Sequence, residues 1–192
     1  MQTANRIALK EWAAVCAALD SGEQILLLRK GGIDEGPAGF RPEHDQFWLL
    51  PTDFHQAAEG LSATGQALLE QSRQQLAEGT LRVAHYATVH DVLWVGDERR
   101  LESLAQEHVW SADAVQRRFH YRSPGLHLLV VRVYRLDEAW ELADSPDIAG
   151  CRSWVDLGQE LSTKGATPVL DSQQFAERCV AIHEALEAST AR

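Results

Sequence analysis

The sequence predicts a single α+β domain spanning residues 1–192, with a mainly antiparallel or mixed, curved sheet and helices near both chain ends packed on it. Three segments carry this prediction. An unbroken apolar run leads into Arg29, residues 81–95 alternate between apolar and polar side chains, and residues 126–135 are rich in aliphatic and β-branched side chains. The connections between them suit antiparallel neighbours, and a small barrel would fit the same pattern.

The first part of the chain is predicted to alternate between helix and strand. Apolar residues at three- and four-residue steps predict an amphipathic helix over residues 9–19. The apolar run at 24–29 predicts a strand buried on both faces, as is typical of the centre of a sheet. Residues 47–50 form a short strand that we expect to end at Pro51, which has no N–H for a ladder. A further helix is predicted over residues 66–76.

The middle of the chain is predicted to contain the longest strand and two capped helices. The alternation over residues 81–95 places Leu93 and Val95 on the apolar face and Trp94 on the polar face. Fifteen residues are long for one strand, so we expect a bend near His90 and Asp91. Asp97 is placed to cap a helix over 98–106, and Ser111 to cap a shorter helix reaching residue 118.

The last part of the chain is predicted to contain two strands and the C-terminal helix. Residues 126–135 form a strand, an acidic loop occupies 140–146, and residues 151–157 form the last strand. Asp171 and Gln174 have the spacing of a capping box at the start of the final helix. The apolar stripe of that helix contains Phe175, Cys179, Ile182 and Leu186.

The composition narrows the choice of partners and compartment. The net charge of −10 counts against a general coat protein for nucleic acid, although residues 117–136 carry five arginines and no acid. These arginines provide a local positive face or pair with the acidic C-terminal third. Three widely spaced cysteines indicate reduced thiols, and neither a signal peptide nor a membrane-length apolar run is seen. We therefore expect a cytoplasmic protein without a membrane partner.

Arg29, Lys30, Gly31 and Gly32 are the first candidate ligand-binding residues. Glycines at the end of a strand permit positive φ and a close backbone approach, and adjacent cations can hold a phosphate or a carboxylate. The pattern is neither a Walker loop nor a dinucleotide-binding turn. A plain tight turn with solvated cations is the alternative.

His55 and Gln56 form the second candidate, in the sequence P-T-D-F-H-Q that follows a short strand. A histidine beside an acid can act as a general base or a phosphate ligand, so His55 is the candidate catalytic residue. A structural role in capping or hydrogen bonding is the alternative. The compact spacing of a metal site is lacking, and we expect neither a metal nor a cofactor.

Arg118, Tyr121 and Arg122 form the third candidate, in the sequence R-F-H-Y-R. Aromatic side chains interleaved with arginines can stack on bases while the guanidinium groups contact phosphates. The same residues would also suit the end of a helix that folds onto the core.

The chain resembles the bacterial family called domain of unknown function 1802. The resemblance is carried by K-E-W-A from Lys10, L-L-L-R-K-G-G-I from Leu26, F-W-L-L-P-T from Phe47, H-Q at His55, R-V-Y-R-L from Arg132 and C-R-S-W-V-D-L from Cys151. It implies a restriction–modification setting, because some members are joined to restriction-endonuclease-type domains. No catalytic residue follows from it.

These observations predict a non-enzymatic module in which the three candidate stretches converge on one face and bind nucleic acid or a nucleotide. The first alternative is a small enzyme acting on phosphodiesters or nucleotides, with His55 as base and the arginines stabilising negative charge. The second alternative is a scaffold that binds only protein, which would expose a large apolar patch.

Overall fold

The computed structural model describes residues 2–30, 44–52, 58–73, 80–143, 148 and 152–188, and it confirms the α+β class. The strands are β1 (Ala4–Trp12), β2 (Leu26–Arg29), β3 (Gln46–Thr52), β4 (Thr80–Val95), β5 (Leu126–Ala143), β6 (Trp154–Ser162) and β7 (Thr167–Pro168). The helices are α1 (Ala13–Ser21), α2 (Ala63–Arg73), α3 (Glu98–Glu102), α4 (Ala112–His120) and α5 (Ser172–Ala188), and a 3₁₀ turn covers Ala58–Gly60.

The strands form one open, mixed sheet in the order β2-β5-β4-β3-β1-β6, with β7 also beside β5. The β1–β3 ladder is parallel, and the other described ladders are antiparallel. Buried side chains form two clusters, a larger one that includes residues of α1, α4 and α5 and a smaller one around Trp48 and Tyr86. The prediction of a mixed sheet is confirmed, and the barrel alternative does not apply because the sheet is open.

The predicted central position of the first apolar strand is wrong, because β2 lies at the end of the strand order. Leu26, Leu27 and Leu28 are buried, yet among the described strands β2 pairs with β5 alone. Side chains cover its other edge: Arg118 Nη1 donates to Leu28 O at 3.0 Å, and the Gln24 amide donates to Leu26 O. A covered edge strand therefore has the same apolar sequence as a central one.

The predicted helix over residues 9–19 is wrong in its first turn. Residues 4–12 form β1, which lies between β3 and β6, and α1 begins only at Ala13. Ala8 and Leu9 are both fully buried and belong to different clusters, as expected of a strand covered on both faces. The strand–helix junction at Trp12 thus produced helical spacing without a continuous helix.

Three strand boundaries also differ from the prediction. β3 continues through Pro51, where it pairs with β1 but has left its ladder to β4, so less hydrogen bonding is required of its backbone. β5 continues to Ala143 through part of the predicted acidic loop, because β4 pairs with it as far as that residue. β6 begins at Trp154 and extends to Ser162.

Several local predictions are confirmed. The β4–β5 register shifts between Val89 and Asp91, where the bend is expected. Asp97 and Ser111 accept hydrogen bonds from the first-turn N–H groups of α3 and α4. Asp171 Oδ1 accepts from Gln174 N at 2.8 Å and Gln174 Oε1 accepts from Asp171 N at 3.1 Å, which completes the capping box. All four members of the predicted α5 stripe are buried.

Candidate nucleic-acid interface

Lys30 joins the end of β2 to the loop that follows α4. Its ammonium group donates to the carbonyl oxygens of Phe119 at 2.9 Å and Gly125 at 2.7 Å, and also to that of Ser123. Partial burial lowers the pKa of Lys30 by penalising the charged form. The first and third predicted stretches are therefore adjacent, and Lys30 holds the backbone of residues 119–125 in place.

Arg29 lies in a buried ion pair. Its Nη1 is 3.2 Å from Glu11 Oε2, with the Arg29 side chain 13% exposed and that of Glu11 3% exposed. Such a pair stabilises the end of β1 against the end of β2. Little of the Arg29 side chain is left at the surface.

Arg118 is also directed inward, next to the Glu11–Arg29 pair. Its guanidinium carbon lies 3.9 Å from the centre of the Trp110 ring, in addition to the hydrogen bond with Leu28 O. Burial lowers the pKa of Arg118, with Glu11 opposing and Arg29 reinforcing the effect. The Trp110 ring in turn contacts that of Trp12, at 4.6 Å between centroids. Arg118 therefore joins α4 to the edge of β2.

Tyr121 and Arg122 face solvent directly after α4. The Tyr121 side chain is 48% exposed, and the Arg122 guanidinium carbon is 5.2 Å from the centre of its ring. Arg122 has a φ of 63°, the one positive φ among the described residues other than glycine. Backbone strain of this kind is concentrated at functional sites and is maintained by surrounding contacts, here those of Lys30 with the same loop.

Trp94 and His127 were not among the predicted site residues, although they lie against the same loop. They are cross-strand partners in β4 and β5, with ring centroids 4.7 Å apart, and Trp94 is 53% exposed. Gly125 has a φ of +126°, and a Cβ atom there would overlap the Trp94 indole. The alternation of residues 81–95, which placed Trp94 on the polar face of its strand, is the sequence signal that could have identified it.

We call Trp94, Tyr121, Arg122 and His127, which lie in or against the loop that follows α4, the aromatic–cationic surface; His127 is only half-buried beneath Trp94, and the other three are exposed. The acids within four residues of Trp94 in sequence are already paired: Asp91 with His183 at 3.2 Å, Asp97 with Arg99 at 2.7 Å, and Glu98 with His120 at 2.7 Å. For Arg122, no carboxylate partner is present among the described residues. The surface thus combines the exposed rings of Trp94 and Tyr121 with Arg122, whose guanidinium has no carboxylate partner within the described ranges.

The remaining predicted site residues, Gly31, Gly32, His55 and Gln56, lie outside the described residues. Their roles, including that of His55 as a base, stay predictions. Within the part of the chain that is described, no group of three or more histidine, cysteine or acidic side chains is arranged to hold a metal ion. In the same part, none of the helices has the length and apolar character needed to cross a bilayer.

A family model described as "Domain of unknown function (DUF1802)" matches residues 8–181. No curated protein matches the chain. Among solved structures, the chain is similar to ASCH from Zymomonas mobilis, with a TM-score of 0.40, 13% identity, and coverage of 91% of this chain and 93% of that one. Two ZmASCH mutants give TM-scores of 0.42 and 0.44 at 11% and 10% identity, covering 92% and 91% of this chain and 94% and 96% of theirs.

Proposed function

The chain belongs to the DUF1802 family, whose description states no activity, and we propose that it binds single-stranded nucleic acid through the aromatic–cationic surface. The observation that carries the proposal is the pair of exposed rings at the loop that follows α4: Tyr121 belongs to this loop, and Trp94 packs against Gly125 at its end. Bases stack on exposed aromatic rings regardless of sequence, while a nearby arginine contacts the backbone phosphate.

The energetics favour stacking over charge as the source of affinity. Each stacked base contributes about 1–3 kcal/mol by alanine substitution, so two rings supply about 2–6 kcal/mol. The net charge of −10 opposes the approach of a polyanion, but screening confines that repulsion to about 8 Å at physiological salt. Arg122 supplies one local phosphate contact, so the affinity should depend only weakly on salt, with a slope of about −0.7 per contact.

The inward cations have a supporting role in this proposal. Lys30 fixes the backbone of the loop that carries Tyr121 and Arg122, and Arg118 fixes α4 against β2. The predicted contributions of Gly31, Gly32, His55 and Gln56 to the same surface belong to the proposal.

Fluorescence-anisotropy titration with labelled single-stranded and double-stranded oligonucleotides tests the proposal. Trp94→Ala and Tyr121→Ala should each weaken single-strand binding about 5- to 150-fold, which corresponds to about 1–3 kcal/mol. Arg122→Ala should weaken binding and flatten its salt dependence.

Trp140→Ala is the matched control, because Trp140 is also an exposed tryptophan of the same sheet but lies near the opposite end of β5. Its replacement should leave the affinity unchanged. The proposal fails if the wild-type chain does not bind at low salt, or if Trp140→Ala weakens binding as much as Trp94→Ala does.

A further inference from the structure

A cleft lies far from the aromatic–cationic surface. It has a volume of about 280 Å³ and is lined by residues of α1, β4 and β5, together with Pro51 and Ser72. This volume is just below the range of about 300–1,000 Å³ typical of drug-sized ligands, so the cleft suits a small ligand. His85, which lines the cleft, is nine residues before Trp94 in β4, a strand distance of roughly 25–30 Å.

The cleft is created by a break in the β4–β5 ladder. Val83 pairs with Trp140 and His85 pairs with Arg135, so one residue of β4 lies opposite the four residues 136–139 of β5. The α1 residues that face this break are small, among them Ala13 and Ala17, and leave the space unfilled. Bulges in a ladder often re-aim side chains next to ligand sites.

An organised group of ionisable side chains lies in the cleft. Asp20 Oδ1 is 2.8 Å from His85 Nε2 and 3.0 Å from Arg135 Nη1. The contact with His85, helped by Arg135, lowers the pKa of Asp20, which is therefore a carboxylate at neutral pH.

Two arginines of the cleft retain donors for a ligand. Arg135 uses Nη1 for Asp20, yet its side chain is 53% exposed, so the rest of the guanidinium fork remains accessible. Arg82 forms no ion pair with any carboxylate in the described ranges, even though Glu141 is its cross-strand neighbour in the ladder. Guanidinium forks match the geometry of carboxylate and phosphate groups.

We propose that this cleft binds a small molecule through a carboxylate or phosphate group, held by Arg135 and Arg82 beside the imidazole of His85. The negative charges of Asp20 and Asp137 offset the positive charges of the two arginines. Directed hydrogen bonds, and not a net positive charge, therefore supply the affinity. The alanine-lined wall accommodates the apolar part of the ligand. The site does not depend on the aromatic–cationic surface, because the two lie at different ends of β4 and share no residue.

Long-range ¹H–¹⁵N correlation spectra of the full-length chain test this site directly, with the His85 ring signals assigned by comparison with His85→Gln. Inorganic phosphate and acetate are titrated separately at constant ionic strength, with chloride as the balancing anion. One of the two should shift the His85 signals saturably, which identifies the group that the cleft recognises. If neither anion does so beyond the effect of chloride, the proposal is overturned.

Variants then locate the contact. Arg135→Gln and Arg82→Gln should each raise the dissociation constant about tenfold or more, since each removes a charged donor. Ala17→Leu should abolish binding by filling the cleft without changing its charges, and circular dichroism confirms that each variant is folded. Arg99→Gln, an exposed arginine outside the cleft, should bind as the wild type does. Wild-type affinity in the Ala17→Leu variant would overturn the assignment.

Discussion

Replacing Glu11 by glutamine should destabilise the fold strongly, because Glu11 is the buried counter-charge of Arg29 and lies near Arg118. The Glu11 side chain is only 3% exposed, and its Oε2 is 3.2 Å from Arg29 Nη1. Glutamine keeps an oxygen for the hydrogen bond that Trp12 N donates to Oε1 at 2.9 Å. The substitution therefore removes the charge and little else.

The size of the effect follows from distance and burial. Two unit charges 3.2 Å apart attract with about 5 kcal/mol at an effective dielectric constant of 20. Removing one partner of a buried pair costs about 3–5 kcal/mol, because the remaining charge loses a close counter-charge in a desolvated place. We expect the free energy of unfolding to fall by about this amount in Glu11→Gln. A Glu11→Gln/Arg29→Met variant should recover part of it, because the second change removes the buried cation that has lost its pairing with Glu11.

Urea denaturation followed by tryptophan fluorescence measures this loss, since urea, unlike guanidinium chloride, does not screen ion pairs. Asp156→Asn is the matched control: Asp156 pairs with Arg6 at 2.8 Å, but both side chains are about half-exposed. A solvated pair of this kind contributes little, so the control should leave the unfolding midpoint unchanged. If Glu11→Gln is no more destabilising than Asp156→Asn, the cluster is solvated and the reasoning is wrong.

Burial lowers the pKa of His108 to about 4 from 6.5, so the unfolded chain takes up a proton below about pH 6.5 while the native chain does not. The free energy of unfolding, measured by urea titration, should therefore fall by up to about 3 kcal/mol between pH 6.5 and 4. His108→Asn should flatten the dependence of stability on pH in this range, and an unchanged dependence in that variant would contradict the prediction. Gly125→Ala should lower the unfolding free energy by about 1–3 kcal/mol, because its φ of +126° disfavours a side chain and Trp94 must move; equal stability would show that the loop adapts freely. Asp171→Ala should lower the unfolding free energy by about 1 kcal/mol, because it removes the side-chain cap of α5. Asp171→Asn keeps a capping oxygen and is the control, so an equal loss of stability in both variants would contradict the prediction.

Local chemistry explains why much of the fold could be predicted from the sequence. The α5 cap depends on two side chains that are three residues apart at the start of one helix. Such features need no knowledge of the tertiary structure. Alternation likewise identified β4, because one sheet face differs from the other in polarity, and aliphatic and β-branched content identified the start of β5.

Non-local contacts explain what could not be predicted. The edge position of β2 depends on Arg118, 90 residues away in sequence, whose guanidinium covers the free backbone at Leu28. Similarly, β1 is buried on both faces, because Ala8 and Leu9 pack into the two different core clusters, and this burial hides its alternation. The apolar periodicity over residues 9–19 cannot distinguish one continuous helix from the end of a strand that is followed directly by a helix.

The candidate site shows the same division between local and non-local information. The interleaving of arginine and aromatic residues in R-F-H-Y-R is visible in the sequence, but the direction of each side chain is not. Arg118 precedes the end of α4 and points inward onto Trp110, whereas Arg122 follows it and lies at the surface beside Tyr121. Trp94 joins that surface through tertiary contacts with Gly125 and His127.

The helix end at His120 therefore separates two functions within five residues. Before it, a cation is used to protect the edge of β2, which would otherwise present unpaired backbone groups to other chains. After it, the chain leaves helical geometry, with Arg122 at φ 63°, and the next cation is directed to solvent. Counting charges along residues 117–136 thus overstates the cations available to a ligand. For this reason, the proposed interface depends on ring stacking. The negative net charge of the chain weakens stacking less than it weakens contacts with phosphates.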